Sequence, residues 1–222
     1  DNSTCADCCG VPNGDGSTCD GDCGACNDNS TCLDECGVPN GDSSTCFTSC
    51  GDQIGHEGYN YSTVQIGEQC WFSENCRYLP VVSPPSEGDY YEPFYYVYGY
   101  DGTDVGIAKI SSNYSTYGVL YNWPAVMTEG ICPSGWHVPT DTEWTQLTDH
   151  LGGGSVAGPA MKSISGWPAS GSGVPPGNGT NSSGFNGFPG GFRYYDGNFD
   201  FIDYTASFWS SSVQSGNTAW NR

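Results

Sequence analysis

The large apolar residues are distributed unevenly along the chain. Residues 1–50 hold only four of them, which are Val11, Leu33, Val38 and Phe47. From residue 51 onward, aromatic residues become frequent and short apolar runs alternate with glycine-rich turns. A segment with so few apolar side chains cannot bury enough surface to offset its chain entropy. We therefore predict an N-terminal segment without a hydrophobic core over residues 1–50 and a globular domain over residues 51–222.

One stretch of the domain shows the period of a β-strand. Between Tyr61 and Phe72, apolar and polar residues alternate in part, and this places Val64 and Ile66 on the same face. Elsewhere the apolar runs are short and are separated by glycine-rich segments. We therefore expect mainly short strands and long loops in the domain.

One helix is clearly indicated. Thr140 and Glu143 have the spacing of a capping box, in which each side chain can satisfy an unpaired backbone N–H. Apolar residues then follow at helical spacing until Gly152, a residue type that often ends helices. These apolar positions are Trp144, Leu147 and Leu151. One helix among several short strands predicts an α+β domain.

The N-terminal segment is built from short repeats. Residues 9–19 read CGVPNGDGSTC, and residues 36–46 repeat this as CGVPNGDSSTC. A shorter copy, CGACNDNSTC, occupies residues 23–32. Residues 1–5 resemble the tail of an earlier copy, so we expect the sequence to begin within a repeat of a longer or processed chain.

Thirteen cysteines in 222 residues indicate an oxidising compartment, because cytosolic thiols are kept reduced. We predict that disulfides, each worth about 2–4 kcal/mol, hold the repeat segment together. Zinc bound by Cys23 and Cys26 is a less favoured alternative. The cysteines assigned to disulfides are Cys5, Cys8, Cys9, Cys19, Cys23, Cys26, Cys32, Cys36, Cys46, Cys50, Cys70 and Cys76.

The charge of the chain excludes several classes of partner. Twenty-five acidic and five basic residues give a net charge of -20, which repels nucleic acid and anionic lipid. The sequence contains no run of about 18 apolar residues, so we expect no membrane insertion. Together with the cysteines, these features predict an extracellular or cell-surface protein.

The acidic repeats have two interpretations. Their side-chain oxygens suit calcium, and the order of Asp and Asn residues resembles the calcium repeats of thrombospondin type 3, although with incomplete aspartate spacing. The alternative is a series of Asx-turns in a solvated linker. The candidate calcium ligands are Asn13, Asp15, Asp20, Asp22, Asn27, Asp28, Asn40 and Asp42.

Six Asn-x-Ser/Thr sequons are candidate glycosylation sites. Such sites are used on exposed loops of secreted proteins. The acceptor residues are Asn2, Asn29, Asn60, Asn113, Asn178 and Asn181.

A tyrosine-rich run over residues 90–100 is the candidate binding surface. Tyrosine rings offer rigid contact area with a polar tip, which suits sugar faces or a subunit interface. The alternative is a strand whose alternate residues enter the core of the domain. The tyrosines are Tyr90, Tyr91, Tyr95, Tyr96, Tyr98 and Tyr100.

The sequence gives no positive indication of catalysis. The three histidines, His56, His137 and His150, form no metal-binding spacing, and we interpret His137 as a structural hydrogen-bonding residue. No nucleophile elbow or nucleotide-binding loop is present in a convincing context. We therefore expect that the protein is not an enzyme.

Several ordered motifs of the second region resemble one family. They are IGEQCWFSEN at residues 66–75, YGVLYNW at 117–123, CPSGWHVPTD at 132–141, GTNSSGFN at 179–186, PGGFR at 189–193, FWSSS at 208–212 and AWNR at 219–222. This part of the chain is similar to the Fibrobacter succinogenes major paralogous domain family.

The resemblance implies a fold like the C-type-lectin-like and formylglycine-generating-enzyme-like group, with short twisted antiparallel sheets, few helices and long loops. It also implies secretion, but no activity. Sequences of the family usually continue beyond the last motif into a strand that carries a cysteine. Cys132 is therefore expected to be unpaired or intermolecular here, and in the simplest partition Cys70 pairs with Cys76.

Two functions are consistent with these features. The first is a structural subunit of an extracellular fibre or surface layer, in which copies of the chain assemble head-to-tail by strand or segment exchange. The alternative is a cell-surface adhesin or carbohydrate-binding module that takes glycans as partners. The acidic repeats add calcium as the expected cofactor of either function.

Overall fold

The computed structural model describes residues 49–168, 177–216 and 218–222. Ser49–Arg222 forms one compact unit. The eight candidate calcium ligands, two of the sequons and nine of the N-terminal cysteines lie outside the described residues. No helix in the described part of the chain is long and apolar enough to span a membrane.

The described strands form four small antiparallel sheets. One sheet has the order β1-β2-β3, and the other three are the pairs β4-β5, β6-β7 and β8-β9. The strands are β1 Gln53–His56, β2 Tyr59–Ile66, β3 Gln69–Phe72, β4 Tyr95–Tyr96, β5 Leu120–Tyr121, β6 Gly190–Arg193, β7 Phe199–Ile202, β8 Trp209–Ser215 and β9 Thr218–Asn221.

Five helices accompany these strands within the described ranges. They are α1 Val105–Lys109, α2 Ser112–Tyr117, α3 Trp123–Val126, α4 Asp141–His150 and α5 Gly154–Met161. Four of them are preceded by an N-cap residue whose side chain accepts a hydrogen bond from the backbone N–H three residues later. This bond satisfies an N–H group that has no partner within the helix. The domain is therefore α+β, with few helices and several short antiparallel sheets.

The stretch predicted as strand is a hairpin. Gly67 and Glu68 separate β2 from β3, and Gly67 has a φ of 62° at the first central position of the turn. Only glycine adopts this left-handed conformation without strain, so the chain reverses here. Val64 and Ile66 pack in the same apolar cluster, in agreement with their predicted common face.

Helix α4 begins and ends where its sequence predicts. The Thr140 side chain accepts from the Glu143 backbone N–H, and the Glu143 carboxylate accepts from the Thr140 backbone N–H at 2.7 Å. Partial burial alone would raise the pKa of Glu143, but the hydrogen bonds from Thr140 and His137 outweigh it and lower that pKa. The chain leaves the helix at Gly152, where φ is 99°.

Two apolar clusters form the core of the described part of the chain. The smaller cluster joins the β2-β3 hairpin to α4 through Trp71 and Trp144, whose ring centroids lie 4.7 Å apart. It consists of Ile66, Trp71, Trp144, Leu147 and Phe185. The larger cluster lies among loops and short helices. It consists of Tyr78, Leu79, Val82, Tyr95, Val97, Ala108, Tyr114, Val119, Ala125 and Ile131.

One disulfide is present among the described residues, and it differs from the expected one. Cys70 pairs with Cys50, 20 residues earlier, and not with Cys76. The predicted Cys70–Cys76 pairing is therefore wrong. The reason is geometric, because β1 pairs with β2 and β2 with β3, so the segment before β1 is brought back to the start of β3. Cys76 and Cys132 are free thiols.

Replacing the N-cap of α4 should destabilise the domain. Thr140→Ala removes the acceptor for the Glu143 N–H, and we expect a loss of about 1 kcal/mol in the free energy of unfolding. Urea denaturation followed by tryptophan fluorescence measures it. Thr142→Ala, at an exposed position of the same helix, is the matched control and should change stability by less than about 0.5 kcal/mol. Equal effects of the two variants would contradict the capping interpretation.

The Cys132 thiol should be unreactive in the folded protein. Burial, with a smaller contribution from Cys76, raises the pKa of Cys132 to about 12. At mildly alkaline pH its thiolate fraction is then about three orders of magnitude below that of an ordinary cysteine. We expect iodoacetamide to label Cys132 only after unfolding, as measured by peptide mass spectrometry. Labelling of Cys132 in the native protein as fast as free glutathione would contradict this.

Candidate binding surface

The tyrosine run predicted as a binding surface is divided between surface and core. Tyr90 and Tyr91 are exposed by 68% and 77%, whereas Tyr95 and Tyr96 are exposed by only 2% and 3%. Tyr98 and Tyr100 are partly buried. The assignment of Tyr95 and Tyr96 to the binding surface is therefore wrong. They form β4, whose two residues both face packed structure, so burial does not alternate as in a one-sided strand.

The loop that carries Tyr90 and Tyr91, residues 86–94, is here called the tyrosine loop. The Asp89 carboxylate accepts the backbone N–H groups of Tyr91 and Glu92, each at 2.7 Å. These bonds hold the pKa of Asp89 below its usual value. The Asn122 amide donates to the carbonyls of Asp89 and Glu92. The bend at residues 89–92 is thus fixed by four hydrogen bonds, and the two exposed rings are displayed from an ordered backbone.

Arg193 joins the tyrosine loop to the β6-β7 hairpin. Its Nε donates to the Pro85 carbonyl at 3.0 Å, and its Nη2 donates to the Glu87 carbonyl at 2.9 Å. The guanidinium also lies over the Tyr96 ring, 4.5 Å from its centroid. The hairpin turn also lies close to the residue that precedes the tyrosine loop. A Cβ added to Gly197 would be 2.5 Å from the Pro85 carbonyl oxygen. The loop and the hairpin are therefore neighbours on the surface.

The hairpin presents a second set of exposed aromatic residues, which the sequence analysis missed. We call β6, β7 and the residues up to 204 the aromatic hairpin. The signal that could have revealed it is the Asp196-Gly197 dipeptide, a strong hairpin turn, with aromatic residues on both sides. The exposed fractions are 39% for Tyr194, 88% for Tyr195, 43% for Phe201 and 47% for Tyr204.

The backbone of the aromatic hairpin is strained at Phe201. This residue has a φ of 58°, which is a genuine outlier for a bulky side chain. The strand register pairs Phe192 with Asp200, so a regular β7 would place Phe201 on the face opposite Phe192. Instead the two rings stack, with centroids 5.2 Å apart and planes inclined by 14°. The unusual φ therefore brings Phe201 to the same face as Phe192.

Several hydrogen bonds hold this strained segment. The Asp203 carboxylate accepts from the Tyr117 hydroxyl at 2.6 Å, and the Asp203 N–H donates to the Pro189 carbonyl. Burial and the bond to Asp203 raise the pKa of Tyr117 to about 12, so the phenol stays protonated and keeps donating. Asp203 itself has a φ of 69°. Because strained residues persist only where the surrounding structure over-determines them, the exposed Phe201 ring has a defined position.

An open cleft of about 410 Å³ lies where the segment after β3 meets helix α2. Its charged residues are Glu74 and Arg77, which form an ion pair with each other. Glu74 also accepts from the Ser62 backbone N–H at 2.9 Å, and Arg77 donates to the Ser115 carbonyl at 2.8 Å. The Tyr59 hydroxyl bonds the same carboxylate. Since both charges bind other parts of the domain, we interpret them as structural rather than catalytic.

The remaining predicted sites are distributed over the domain. His137 bonds the Glu143 carboxylate at 2.8 Å from an exposed position, as expected for a structural hydrogen-bonding residue. Within the described ranges no three His, Cys, Asp or Glu side chains form a metal-binding group. The calcium prediction concerns residues 13–42, which the structure does not describe, and stays a prediction.

The four described sequons differ in the surroundings of their acceptor nitrogens. Asn60 and Asn178 are exposed, whereas Asn113 and Asn181 are partly buried. Asn113 Nδ2 donates to the Tyr98 carbonyl at 2.9 Å, and Asn181 Nδ2 donates to Asn186 Oδ1 at 3.4 Å. A glycan on either of these nitrogens would need space next to an existing contact.

We therefore expect glycans at Asn60 and Asn178 in preference to Asn113 and Asn181. Glycopeptide mass spectrometry of the protein secreted by a glycosylating host measures the occupancy of each site. Asn60→Gln should remove one glycan and leave the thermal midpoint of the deglycosylated protein unchanged. Asn178→Gln should also remove one glycan, but it shifts the amide that accepts the Trp167 N–H at 3.0 Å and should lower that midpoint slightly. Full occupancy of Asn113 with an empty Asn60 would contradict the structural explanation.

Comparison with known proteins places the domain in a family. Residues 64–222 match the family described as the Fibrobacter succinogenes major domain. No curated protein and no solved structure matches the chain. The matched range begins within β2 and includes the aromatic hairpin and all of the cleft lining except Ser62. The chain therefore belongs to the Fibrobacter succinogenes major domain family.

Proposed function

We propose that this protein is a structural subunit of an extracellular fibre or surface layer, and that each copy accepts a segment of a neighbouring copy along the edge of β9. The observation that carries the proposal is this edge. Strand β9 pairs with β8 on one side, and no described residue forms a β-ladder with its other side. Unpaired strand edges bind other extended segments through their backbone N–H and C=O groups.

The opposite edge of the same sheet is covered. The Ser211 N–H donates to the Pro139 carbonyl at 2.9 Å, and the Ser212 hydroxyl accepts the Asp141 N–H at 3.0 Å. The start of α4 therefore protects β8 among the described residues. Of the two described edges of this sheet, β9 is the one left open to an added strand, which makes the contact directional.

Side chains beside the edge suit an interface. Trp220 on β9 is exposed by 41%, and Val213 on β8 is exposed by 53%. Ala219, which precedes Trp220 on β9 and pairs with Val213, is buried and anchors β9 to the domain. Exposed apolar residues next to an open edge add side-chain burial to the backbone hydrogen bonds of an incoming strand.

The donor in this proposal is the N-terminal repeat segment of a neighbouring copy. This segment carries nine acidic residues and no basic one. Arg222, one of only five basic residues, directly follows β9 and retains 33% side-chain exposure in its ion pair with Asp141. An acidic strand is therefore attracted to this end of the edge. Because donor and acceptor are different parts of the chain, the contact is head-to-tail and propagates unless its rotation closes a ring.

We propose that the fibre forms outside the cell. A disulfide in the domain is compatible with a secreted protein. We include calcium as a bridge between the acidic repeats, since their charges repel one another unless screened. We also propose the C-type-lectin-like arrangement for the domain and no catalytic role. The first is supported by the sequence motifs and by the mixture of few helices and small sheets.

A second candidate function, a cell-surface adhesin or carbohydrate-binding module, is favoured by a different observation. The tyrosine loop and the aromatic hairpin are neighbours, and together they expose six aromatic rings. Such rings offer rigid contact area at low entropic cost. This surface is separate in the chain from β9, so the two functions do not exclude each other.

Adding a negative charge at the β9 edge should prevent assembly. Trp220→Glu removes an exposed ring and repels the acidic donor, so we expect the critical concentration for assembly to rise at least about tenfold, the change that corresponds to about 1.4 kcal/mol. Electron microscopy and sedimentation velocity of the full chain, in the presence of calcium, measure it.

The matched control is Ile164→Glu, which places the same charge at another exposed apolar position, with 67% exposure, and should assemble normally. Two results would refute the proposal. One is assembly of Trp220→Glu at the wild-type concentration. The other is wild-type protein that stays monomeric up to high concentration with calcium and with its repeat segment intact.

A further inference from the structure

We infer that the aromatic hairpin is a binding site for a neutral polysaccharide of β-linked hexopyranose units, whose sugar rings stack on the Tyr195 and Phe201 side chains. This inference rests on the second proposed function, and it names the ligand class and the residues of that function. A β-linked hexopyranose with equatorial hydroxyls presents flat C–H faces and a polar rim. An aromatic ring stacks on the C–H face of the sugar, and carboxylates and phenols form hydrogen bonds with the hydroxyls of its rim.

The exposure of these aromatic residues is unusual for a folded domain. Tyr195 has 88% of its surface accessible, and Phe201 has 43%. Phe201 does not stand singly, since Phe192 contacts both Phe201 and Tyr194, with centroids 5.2 Å and 4.7 Å away, and Tyr195 directly follows Tyr194. Clustered exposed rings mark interaction sites, whereas scattered ones need no explanation.

The site is also pre-organised. Phe201 reaches its position only through a strained φ of 58°, and the neighbouring Gly191 has a φ of 67°. A Cβ at Gly191 would lie 2.5 Å from the Asp200 carbonyl oxygen, so the two strands approach too closely there for any side chain. The Gly191 N–H donates to the Thr205 carbonyl at 2.9 Å, which ties the segment after β7 to β6. Binding of a ligand therefore costs little entropy for ordering the Phe201 ring.

Polar groups accompany the rings. Asp196, in the hairpin turn, accepts from the Asn198 backbone N–H at 3.0 Å and from its amide at 2.8 Å. These bonds lower its pKa, so the carboxylate is ionised at neutral pH. Asp200 lies on β7 beside Phe201 and is exposed. Carboxylates accept the hydroxyl hydrogens of sugars, and phenols both donate and accept.

Charge decides between classes of ligand. Arg193 is the only basic residue of the aromatic hairpin, and its guanidinium is occupied by the carbonyls of Pro85 and Glu87. Sulfated or uronic-acid polymers would meet Asp196 and Asp200 without a free cation. This surface also differs from the β9 edge, where Arg222 attracts an acidic segment, because Asp196 and Asp200 offer an acidic copy of this chain no free cation. A neutral polymer carries no such penalty.

The dimensions of the hairpin suit a chain rather than a single sugar. Each of its strands has four residues, which is about 13 Å of extended backbone. The exposed rings lie before the turn, at Tyr195, and on the second strand, at Phe201. A linear saccharide is long enough to extend from the turn to β7, and contacts at both places would reinforce each other through effective concentration.

The test uses the full chain and three neutral probes, cellohexaose, laminarihexaose and chitin hexasaccharide, in isothermal titration calorimetry. We expect at least one of them to bind. Tyr195→Ala and Phe201→Gly should each weaken that binding by about tenfold or more. Tyr195 is too exposed to affect folding, and glycine accepts the positive φ of position 201 without strain. Ile164→Ala, exposed elsewhere, is the control and should bind normally.

The outcomes separate the inference from the proposed functions. Binding of a neutral saccharide that neither variant weakens overturns the inference and leaves the adhesin function intact. Failure of the protein to bind any glycan on an array overturns both. Preference for polygalacturonate over the neutral probes overturns the inference, because the charge argument would be wrong. Self-association that Tyr195→Ala abolishes, without any glycan binding, overturns it in favour of a second copy as the occupant.

Discussion

The need to pair the polar backbone groups of buried loops governs this structure. The segment Glu74–Tyr78 has no regular secondary structure, yet Arg77 and Tyr78 are almost fully buried. Its backbone partners come from other segments. The Tyr61 hydroxyl accepts the Arg77 N–H, the Tyr114 hydroxyl donates to the Arg77 carbonyl, and the Val119 N–H donates to the Cys76 carbonyl. A buried backbone group left unpaired would cost the desolvation energy of that group, so each of these contacts has to form.

The same constraint explains why partly buried polar side chains join the loops of the domain. The Asn75 amide donates to the Tyr117 carbonyl and contacts Phe188, and so joins the segment after β3 to α2 and to the loop before β6. Asn122 and Arg193 do the same for the tyrosine loop. Four of these positions, 75, 117, 122 and 193, belong to the motifs by which the sequence resembles its family. These motifs therefore specify how loops are held together, and their side chains are largely occupied by contacts within the domain.

Function is then expected at surfaces that internal packing does not use. The cleft at Glu74 and Arg77 is polar, but its charged groups bind each other and the backbone. The edge of β9 and the aromatic hairpin differ, because each presents groups that the described part of the domain does not pair or cover. At Phe201 the backbone is held in a strained conformation that exposes a ring. In the core, a strained backbone can be offset by the burial of the side chain that it positions. At an exposed residue the strain only fixes the position of the ring, which lowers the entropy cost of binding a ligand.

Local sequence determined the parts of this protein that depend on neighbours in the chain. Helix α4 follows from Thr140, Glu143 and Gly152, and the α+β class follows from short apolar runs between turns, because caps and turns involve residues only a few positions apart. Tertiary structure alone decided the pairing of Cys70 with Cys50 and the burial of Tyr95 and Tyr96 beside the exposed Tyr90 and Tyr91. Both depend on which distant segments pack together. The described part of the domain has four small sheets joined by loops. No periodic pattern of apolar residues in the sequence predicts which of these distant segments pack together.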